Sequence, residues 1–460
     1  MSLREAGAVH QNPSMTTARR NFLLGGAALA GAAAMRPLLS AGGRTERATL
    51  AANSAALLPP PASSGIDHIV VVCMENRSFD HLVGWLPGAD GRQAGLSYPD
   101  RNGTMHATYH LTTFQGCGHP DPDHSYSGAR IEYDNGRCDG WLRVNDAYSI
   151  GYYMRADLPF LGRAAPGWTV CDRYFAATAG PTFPNRLYLH TAQTDRTGDS
   201  IGLTSLPTIW DRLSAARVSH TYYFNDLPFL ALWGLRYTGI SRNWDDFRRD
   251  AARGTLPAVA YVDPPFFLDV IDGTSRDYHP HGDIRNGEAF LNSVYQAVTQ
   301  GPAWRRTLLV ITFDEWGGFF DHVAPTTAPD TNPALTGLRG FRVPCVVVSP
   351  RARRGSVAHG VYDHTSILKL IEWRFGLRAL TPRDAAANNL AEVLDFSSPA
   401  NLAAPQWRVS GVLALPCILQ GSQSLGAPAG AVTGVTGRPS PSPWPLLGRQ
   451  ARADGWHLPI

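Results

Sequence analysis

Short runs of apolar, mostly β-branched residues recur along the chain and predict the strands of one buried, parallel sheet. Stretches with helical spacing of apolar residues lie between or after them. The predicted strands are 69–74, 221–224, 258–262, 308–313 and 343–348, and the predicted helices are 208–218, 284–300 and 364–375. Because strands alternate with helices, we predict an α/β fold of the three-layer α/β/α sandwich type.

Two of the predicted strands run directly into acidic motifs. The strand 69–74 is followed by Glu75 and Asn76 in the sequence ENRSFDH, and the strand 308–313 by Asp314 in the sequence DEWGGFFDH. Ligands of open α/β sheets bind outside the carboxyl ends of the strands, so we expect the two motifs to meet at one edge of the sheet. Carboxylate and amide oxygens at such an edge predict a metal-centred site for phosphate.

A third motif, GPTFPNR at residues 180–186, predicts a turn followed by a helix. Pro184 suits the first turn of that helix. Thr182 would then lie near the helix N-terminus, where backbone N–H groups favour an anion. A hydroxyl beside a metal at this point has the position of an activated nucleophile for phosphoryl transfer. The alternative is that Thr182 only caps the helix.

Together these motifs resemble the bacterial phosphoesterase family, which includes phospholipases C and related acid phosphatases. The resemblance extends over about residues 64–400, with the motifs in the same order, and includes YDHTSILK at 362–369. It implies an alkaline-phosphatase-like fold. The Gly-Pro-Thr form of the third motif looks like the phospholipase C branch, because the acid phosphatases carry a serine in that place.

The resemblance also implies a single divalent metal ion as the cofactor. By matching position, the metal ligands would be Glu75, Asn76, Asp314 and Glu315, together with the nucleophile Thr182. Oxygen ligands suit a hard cation, and this set leaves Ca²⁺, Mg²⁺, Mn²⁺ and Zn²⁺ all admissible.

Several of the fifteen histidines are candidates for contact with phosphate. The resemblance implies this role for His279 and for His124, with His279 as the first choice for acid–base catalysis. The alternative for both is an ordinary position in a surface loop. We expect His322 to form a hydrogen bond within the loop of the second acidic motif. Asp363 is expected to start a helix at His364.

A loop-rich insertion is predicted over the active site between residues 91 and 167, where strand and helix patterns dissolve into Gly, Asp, Tyr and His. Aromatic rings in it suit peripheral contact with a membrane, or a cage for a choline ammonium. The alternative is that these rings pack the insertion onto the core. The rings are Tyr126, Tyr133, Trp141, Tyr148, Tyr152, Tyr153 and Phe160.

The N-terminus resembles a twin-arginine export signal. Arg19 and Arg20 precede the mildly apolar stretch 25–34, which is too short for a stable membrane span. We therefore predict a signal at 1–41, used by the twin-arginine export machinery, and an Ala/Pro/Ser-rich linker at 42–64. The protein would be extracellular, periplasmic or attached to the cell wall. The alternative is an uncleaved anchor.

The remaining chain divides into a catalytic domain at 65–400 and a tail at 401–460. The tail is rich in Pro, Gly, Ser and Ala and predicts an irregular segment. With 44% hydrophobic residues the chain can form a substantial core, and a net charge of only +3 gives no reason to expect a nucleic-acid partner.

Six cysteines in an exported protein predict at least one disulfide. Cys117 and Cys138 both lie in the polar insertion and are the most plausible pair. Cys73 and Cys345 lie in apolar runs and are expected to be buried thiols. For the other two, Cys171 and Cys417, we expect either a bond between them or free thiols.

These observations predict an exported, metal-dependent phospholipase C. Thr182 would attack the phosphorus of a phospholipid such as phosphatidylcholine and expel diacylglycerol, and water would then release the phosphorylated head group from the phospho-threonine. One alternative is an acid phosphatase that uses the same site on monoesters. Another is a non-catalytic, secreted surface-binding protein, which would be free to lose Thr182 or the acidic ligands; the chain retains them all.

Overall fold

The structure is a computed structural model that describes residues 58–266, 274–414, 416–417 and 443–459. The export signal predicted at 1–41 and residues 42–57 of the predicted linker lie outside the described residues. In the described part of the chain, no helix combines the length and the apolar character needed to cross a bilayer.

The described residues are organised around an eight-stranded sheet with the strand order β8-β2-β7-β6-β1-β5-β3-β4. In chain order, the strands are β1 (His68–Met74), β2 (Thr169–Cys171), β3 (His220–Phe224), β4 (Ser241–Asn243), β5 (Val259–Val262), β6 (Thr307–Phe313), β7 (Cys345–Val348) and β8 (Ser356–Ala358). All five strands predicted from the sequence are present, each with ends within two residues of the prediction.

The sheet is mixed, whereas the sequence predicted a parallel one. Strand β1 lies between β5 and β6 and is parallel to both. Strand β7 is antiparallel to its neighbours β6 and β2. Burial on both faces makes a strand apolar whichever way it runs, so the run 343–348 carries no signal of its direction.

Helices cover both sides of this sheet, which confirms the three-layer α/β/α prediction. The described α-helices are Phe79–Val83, Tyr126–Tyr133, Trp141–Val144, Leu161–Gly167, Thr182–Thr191, Ile209–Ala215, Trp244–Arg253, Ile284–Gln300, Pro333–Thr336, His364–Phe375, Pro382–Ala385 and Trp444–Asp454. Two of the three predicted helices begin and end where the sequence placed them, and the third is Ile209–Ala215 instead of 208–218. Caps explain the starts: the side chains of Thr208, Asp283 and Asp363 accept from backbone N–H groups in the first turn.

The insertion forms a second apolar cluster beside the main core. Trp141 from the insertion packs against Phe341 at 4.6 Å between ring centroids, and Trp316 and Phe320 of the second acidic motif belong to the same cluster. The insertion therefore rests on the loop that carries Asp314, as predicted. Four of its seven aromatic rings are fully buried, which favours packing as their role: Trp141, Tyr148, Tyr153 and Phe160.

The disulfide differs from the one that the sequence predicted. Cys117 is bonded to Cys417 and not to Cys138. Cys138 is instead a buried thiol in the cluster around Trp141. The prediction paired two cysteines that are close in sequence, whereas the tail returns over the insertion. Four thiols are free and buried, among them the two predicted as such: Cys73, Cys138, Cys171 and Cys345.

The tail is irregular in part only. Residues 401–414 form no helix or strand, but they are held to the helix Ile284–Gln300 because Asn292 and Gln296 donate to the carbonyl of Trp407. The helix Trp444–Asp454, however, is an element that the sequence analysis did not predict. Its signals are present, since it has a proline in the first turn and ends at Gly455 in the left-handed conformation.

Candidate active site

The two acidic motifs meet at the carboxyl ends of β1 and β6. These strands are parallel neighbours in register from His68 with Thr307 to Met74 with Phe313, and both are buried along nearly their whole length. Backbone bonds continue past the strands, because the N–H of Asp314 donates to the carbonyl of Met74 at 3.0 Å. The sheet thereby places both motifs at one edge, as their positions after adjacent strands predicted.

The carboxylate of Asp314 is fixed by three donors. Its Oδ1 accepts from the backbone N–H groups of Asn76 at 3.2 Å and Glu315 at 2.7 Å. Its Oδ2 accepts from Nε of Arg186 at 3.0 Å. A buried carboxylate with this many donors is held in one orientation.

Two glycines of the second motif allow the two motifs to approach closely. Both have a left-handed backbone, with φ of 64° at Gly317 and 69° at Gly318. A Cβ at Gly317 would lie 2.2 Å from the carbonyl oxygen of Asn76, and a Cβ at Gly318 would lie 2.7 Å from Cβ of Pro122 in the insertion. Glycine is therefore required here for space as well as for conformation.

Two buried oxygens at this edge have no hydrogen-bond partner within the described part of the chain. They are Oδ1 of Asn76 and Oε1 of Glu315, on side chains with no exposed surface. Asn76 also has a positive φ of 57°, a conformation that asparagine adopts more readily than most non-glycine residues. Unpartnered buried oxygens are normally satisfied by an ordered water or an ion, and oxygen donors suit a divalent metal ion.

His124 explains how the amide of Asn76 is oriented. Nδ1 of His124 lies 2.7 Å from the carbonyl of Pro122 and donates to it. When the ring is neutral, Nε2 accepts from Nδ2 of Asn76 at 3.3 Å. The amide oxygen is then directed away from the ring. The residues predicted as ligands therefore fit a metal ion.

The fourth predicted ligand, Glu75, is buried beside these groups and has donors of its own. Nη2 of Arg186 lies 3.3 Å from Oε1 of Glu75, and the indole N–H of Trp444 lies 3.1 Å from the same oxygen. Burial and the charge of Asp314 raise the pKa of Glu75 well above its usual range, and Arg186 opposes them. The backbone N–H of Glu75 donates to the carbonyl of Asp277.

Thr182 is the first residue of the helix Thr182–Thr191 and is buried. The capping position belongs to Pro181, which makes no side-chain cap bond to the described residues. The alternative that Thr182 caps the helix is therefore wrong. Asn185 holds the turn instead, since it accepts from the N–H of Thr178 at 2.9 Å and donates to the carbonyl of Gly180 at 2.7 Å.

Arg186, one turn after Thr182, connects this helix to both acidic motifs. It contacts Glu75, Asp314 and Asp263 and donates to the carbonyl of Cys73 at 3.2 Å. The sequence predicted no role for Arg186 beyond its place in the third motif. The available signal was weak because Thr182, Asn185 and His190 are polar residues of the same helix, and only the structure shows the buried guanidinium with its several acceptors.

Asp199 is a second residue that sequence reasoning missed. Its Oδ1 accepts from the backbone N–H of Phe183 at 2.7 Å, directly after Thr182. Burial raises the pKa of Asp199 to about 6, and Asp314 adds to this, while the N–H of Phe183 and His124 oppose it. It lies in the polar loop after the helix, where the sequence carries no motif.

The two candidate histidines lie side by side. The ring centroids of His124 and His279 are 6.1 Å apart, and Nε2 of His279 is 3.7 Å from Oδ2 of Asp121. These three residues are spaced to hold a metal ion. Burial acts to lower the pKa of His124, but Glu315 and Asp121 outweigh it and raise the pKa to about 9. Burial raises the pKa of Glu315 to about 8, against the influence of His124.

A second group with the spacing of a metal site, formed by Asp80, Asp321 and His322, has a structural role. Arg342 neutralises it, with contacts of 3.0 Å to Oδ1 of Asp80 and 2.8 Å to Oδ1 of Asp321. Nδ1 of His322 binds Asp80 of the first motif. The prediction that His322 bonds within its own loop is therefore wrong: its partner belongs to the other motif, which sequence proximity cannot indicate.

His364 starts a helix, as predicted, and also supports the site. Asp363 caps this helix through the N–H of Thr365, and Nε2 of His364 lies 2.7 Å from the carbonyl oxygen of Asp314. Nδ1 of the same ring lies 3.1 Å from the hydroxyl of Tyr174. The ring therefore supports the loop that presents Asp314 from behind.

Residues 66–378 match the phosphoesterase family. This range contains the acidic motifs, the Thr182 helix and both histidines. The chain belongs to the phosphoesterase family. It is accordingly a hydrolase that acts on phosphoric ester bonds, and the alternative of a non-catalytic binding protein is set aside.

Several phosphoesterases are similar over most of the chain. Phospholipase C B of Mycobacterium tuberculosis is 32% identical over 438 residues, which cover 77% of this chain and 82% of the relative. Non-specific phospholipase C6 of Arabidopsis thaliana is 31% identical and covers 72% of each chain. A solved protein of the alkaline phosphatase superfamily from Vibrio parahaemolyticus overlaps with a TM-score of 0.35 at 9% identity, over 70% of this chain and 69% of that one.

Proposed function

We propose that this phosphoesterase is a metal-dependent phospholipase C that cleaves the glycerol side of a phospholipid diester. The observation that carries the proposal is the pair of unpartnered, buried oxygens on Asn76 and Glu315. They lie at the edge where Arg186 joins both acidic motifs to the helix of Thr182. The names of the similar relatives, phospholipases C from bacteria and a plant, support the choice of substrate class.

A divalent metal ion, when bound, polarises a phosphate oxygen and lowers the pKa of a coordinated hydroxyl. Glu75, Asn76, Asp314 and Glu315 would hold it, together with the hydroxyl of Thr182. The buried guanidinium of Arg186 offsets part of the negative charge of this ligand set through its contacts with Glu75 and Asp314.

The proposed reaction has two displacements at phosphorus. In the first, Oγ1 of Thr182 forms a bond to phosphorus, the bond to the glycerol oxygen breaks, and diacylglycerol leaves after taking up a proton. In the second, a water oxygen attacks the phospho-threonine, and the phosphorylated head group leaves as the Thr182 hydroxyl is restored. His279 and His124, adjacent to each other and to Asn76, are the proposed proton donor and acceptor.

The substrate test compares phosphatidylcholine, sphingomyelin, the anionic lipid phosphatidylglycerol and p-nitrophenyl phosphate, each with metal added back after chelation. We expect kcat/KM for the lipid diesters to exceed that for the monoester by orders of magnitude, and choline lipids to be preferred over anionic ones. Equal or faster hydrolysis of the monoester would instead identify an acid phosphatase. Three rings of the insertion are only half-buried: Tyr126, Tyr133 and Tyr152.

The metal test measures binding directly. Asp314→Asn should weaken the binding of Mn²⁺ or Ca²⁺ in calorimetry and lower activity together, with partial rescue at high metal concentration. Asp245→Asn is the matched control, because Asp245 is exposed and pairs only with Arg248 among its described neighbours. Full activity of a preparation that contains no metal by elemental analysis would refute the metal-dependent mechanism.

We also propose export of the protein by the twin-arginine machinery, on the basis of Arg19 and Arg20 ahead of the apolar stretch 25–34. This route carries folded protein, so metal can be loaded before export. Replacing both arginines by lysine should leave active enzyme inside the cell. Unchanged secretion of the double variant, measured by activity in the culture supernatant, would show that another route is used.

A further inference from the structure

The helix Trp444–Asp454 brings a tail residue into contact with a proposed metal ligand. The indole N–H of Trp444 lies 3.1 Å from Oε1 and 3.3 Å from Oε2 of Glu75. Trp444 is 1% exposed and Glu75 is fully buried. A shared hydrogen bond of this kind between buried groups restrains the carboxylate in one orientation.

The indole ring is itself held on three sides. It stacks on Phe266 with ring centroids 3.8 Å apart and an angle of 4° between the planes. Phe183, the residue after Thr182, meets the ring edge-on at 5.3 Å, and the guanidinium of Arg186 lies 5.5 Å from its centroid. The ring therefore contacts the helix of the proposed nucleophile as well as Glu75.

The rest of the helix is anchored in the core, so the position of Trp444 does not depend on the ring alone. Leu447 and Ala451, one turn apart, are buried completely. Gly448 packs so close to Leu227 that a Cβ at this glycine would lie 2.7 Å from Cδ2 of the leucine. Trp456 is fixed by a bond from its indole N–H to the carbonyl of Gly234 at 3.1 Å.

We propose that Trp444 is a positioning residue for Glu75, so that the tail completes the metal site; this inference rests on the proposed function. The indole N–H and Arg186 approach the carboxylate from the protein side and fix the direction in which it can offer an oxygen to a cation. Neighbours that hydrogen-bond to a metal ligand set its orientation, and their removal typically lowers metal affinity about 10- to 100-fold.

The test replaces the indole by a ring without the donor. In Trp444→Phe the stacking on Phe266 is largely retained, and the hydrogen bond to Glu75 is lost. Trp456→Phe is the matched control, because it removes an indole N–H next to the same helix, from a carbonyl remote from Glu75. Binding of Mn²⁺ and Ca²⁺ is measured by calorimetry on the full chain, together with Tm.

We expect Trp444→Phe to raise the Kd for metal about 10-fold or more, with a Tm within a few degrees of the wild type, and Trp456→Phe to leave the Kd unchanged. In the background of Glu75→Leu, the same Trp444→Phe change should have little further effect on the Kd, because the acceptor of the indole N–H is then absent. This double-variant cycle separates positioning from a general loss of structure.

Three results would overturn the inference while leaving the proposed function intact. They are a wild-type Kd in Trp444→Phe, equal effects of Trp444→Phe with and without Glu75→Leu, and a rise in the activity of Trp444→Phe, which would show that the tail obstructs the site. Failure of the wild-type protein to bind any of Ca²⁺, Mg²⁺, Mn²⁺ and Zn²⁺ would instead refute the proposed metal dependence.

Discussion

Arg186 and Asp314 form a fully buried ion pair, with Nε of the guanidinium 3.0 Å from Oδ2 of the carboxylate. The same guanidinium contacts Glu75 and Asp263. One cation thereby serves three buried acids at the edge of the sheet. Arg186 is therefore the counter-charge that these buried acids share.

Arg186→Met should therefore destabilise the fold by about 3–5 kcal/mol, because it leaves three buried acids without their counter-charge. Arg186→Lys should lose less stability, since lysine keeps the positive charge but lacks the planar guanidinium that contacts all three acids. The measurement is the free energy of unfolding in urea. Arg248→Met, which removes an exposed pair with Asp245, should have little effect, and an equal loss in both variants would contradict the role of Arg186.

Thr182→Ala should abolish nearly all turnover and leave the fold intact. Thr182 is not the helix cap, so its loss removes only a small buried group, at a cost of about 1 kcal/mol. Thr182→Ser should retain partial activity because it keeps a hydroxyl. Steady-state kcat and Tm are measured on the same preparations, and a wild-type kcat in Thr182→Ala would remove Thr182 from the reaction.

Gly317→Ala should strongly destabilise the protein or prevent folding, because the new methyl group would lie 2.2 Å from the carbonyl oxygen of Asn76. Gly95→Ala is the matched control: Gly95 has a similar positive φ of 81°, but its Cβ would meet open space. Gly95→Ala should lose only the stability that corresponds to backbone strain, about 1 kcal/mol. Similar losses of Tm in the two variants would mean that conformation, and not space, requires the glycine.

Glu288 should make stability depend on pH. Its carboxylate accepts from Tyr278 and from the backbone N–H groups of Phe160 and Leu161, but burial outweighs these bonds and raises its pKa from 4.5 to about 7. A raised carboxyl pKa means that the folded state holds the proton more tightly. The contribution of the protonated Glu288 side chain to the free energy of unfolding is fully present below pH 4.5. It is lost as the pH rises to about 7, a change of about 3 kcal/mol.

The comparison with Glu288→Gln isolates this effect, because glutamine keeps an acceptor for the two N–H groups and does not titrate. The free energy of unfolding of both proteins is measured between pH 4.5 and 8. We expect the wild type to lose stability relative to the variant as the pH rises through this range. Parallel profiles would contradict the assignment.

Reduction of the Cys117–Cys417 bridge should lower Tm. The bridge closes a loop of 300 residues, and such a cross-link typically contributes about 2–5 kcal/mol. Dithiothreitol should therefore lower the Tm of the wild type and leave the Tm of a Cys117→Ser/Cys417→Ser double variant unchanged. A wild type insensitive to the reductant, with the bridge shown by mass spectrometry to be reduced, would refute this contribution.

Local patterns were sufficient to predict the strands and the motif positions. The runs ending at Met74 and Phe313 are apolar because they are buried, and the acids after them lie together because adjacent parallel strands end at the same level. The direction of β7 was not predictable, because a strand buried on both faces is apolar whether it runs parallel or antiparallel to its neighbours. The first turn of the helix Thr182–Thr191 was predicted from Pro184 and the preceding Gly-Pro turn.

The parts of the site that the sequence did not reveal are contacts over long separations. Trp444 reaches Glu75 across 369 positions, and Cys417 reaches Cys117 across 300. No periodicity in the sequence relates residues so far apart. The composition of the tail, rich in Pro and Gly, also gives no indication that Cys417 and Trp444 contact the rest of the chain. Asp199 was missed for a related reason, because its role depends on where its loop returns to the helix.

The Cys117–Cys417 bridge can form only after the chain has been synthesised as far as Cys417, the last of its six cysteines. Until then Cys117 remains a thiol, while Cys138, only 21 residues further on, is already available as a wrong partner. Burial raises the pKa of Cys138 to about 12, so almost none of it is a reactive thiolate once the insertion has folded. Packing of the insertion around Trp141 before the exported protein meets an oxidising environment would thus protect it from a mispaired Cys117–Cys138 bridge.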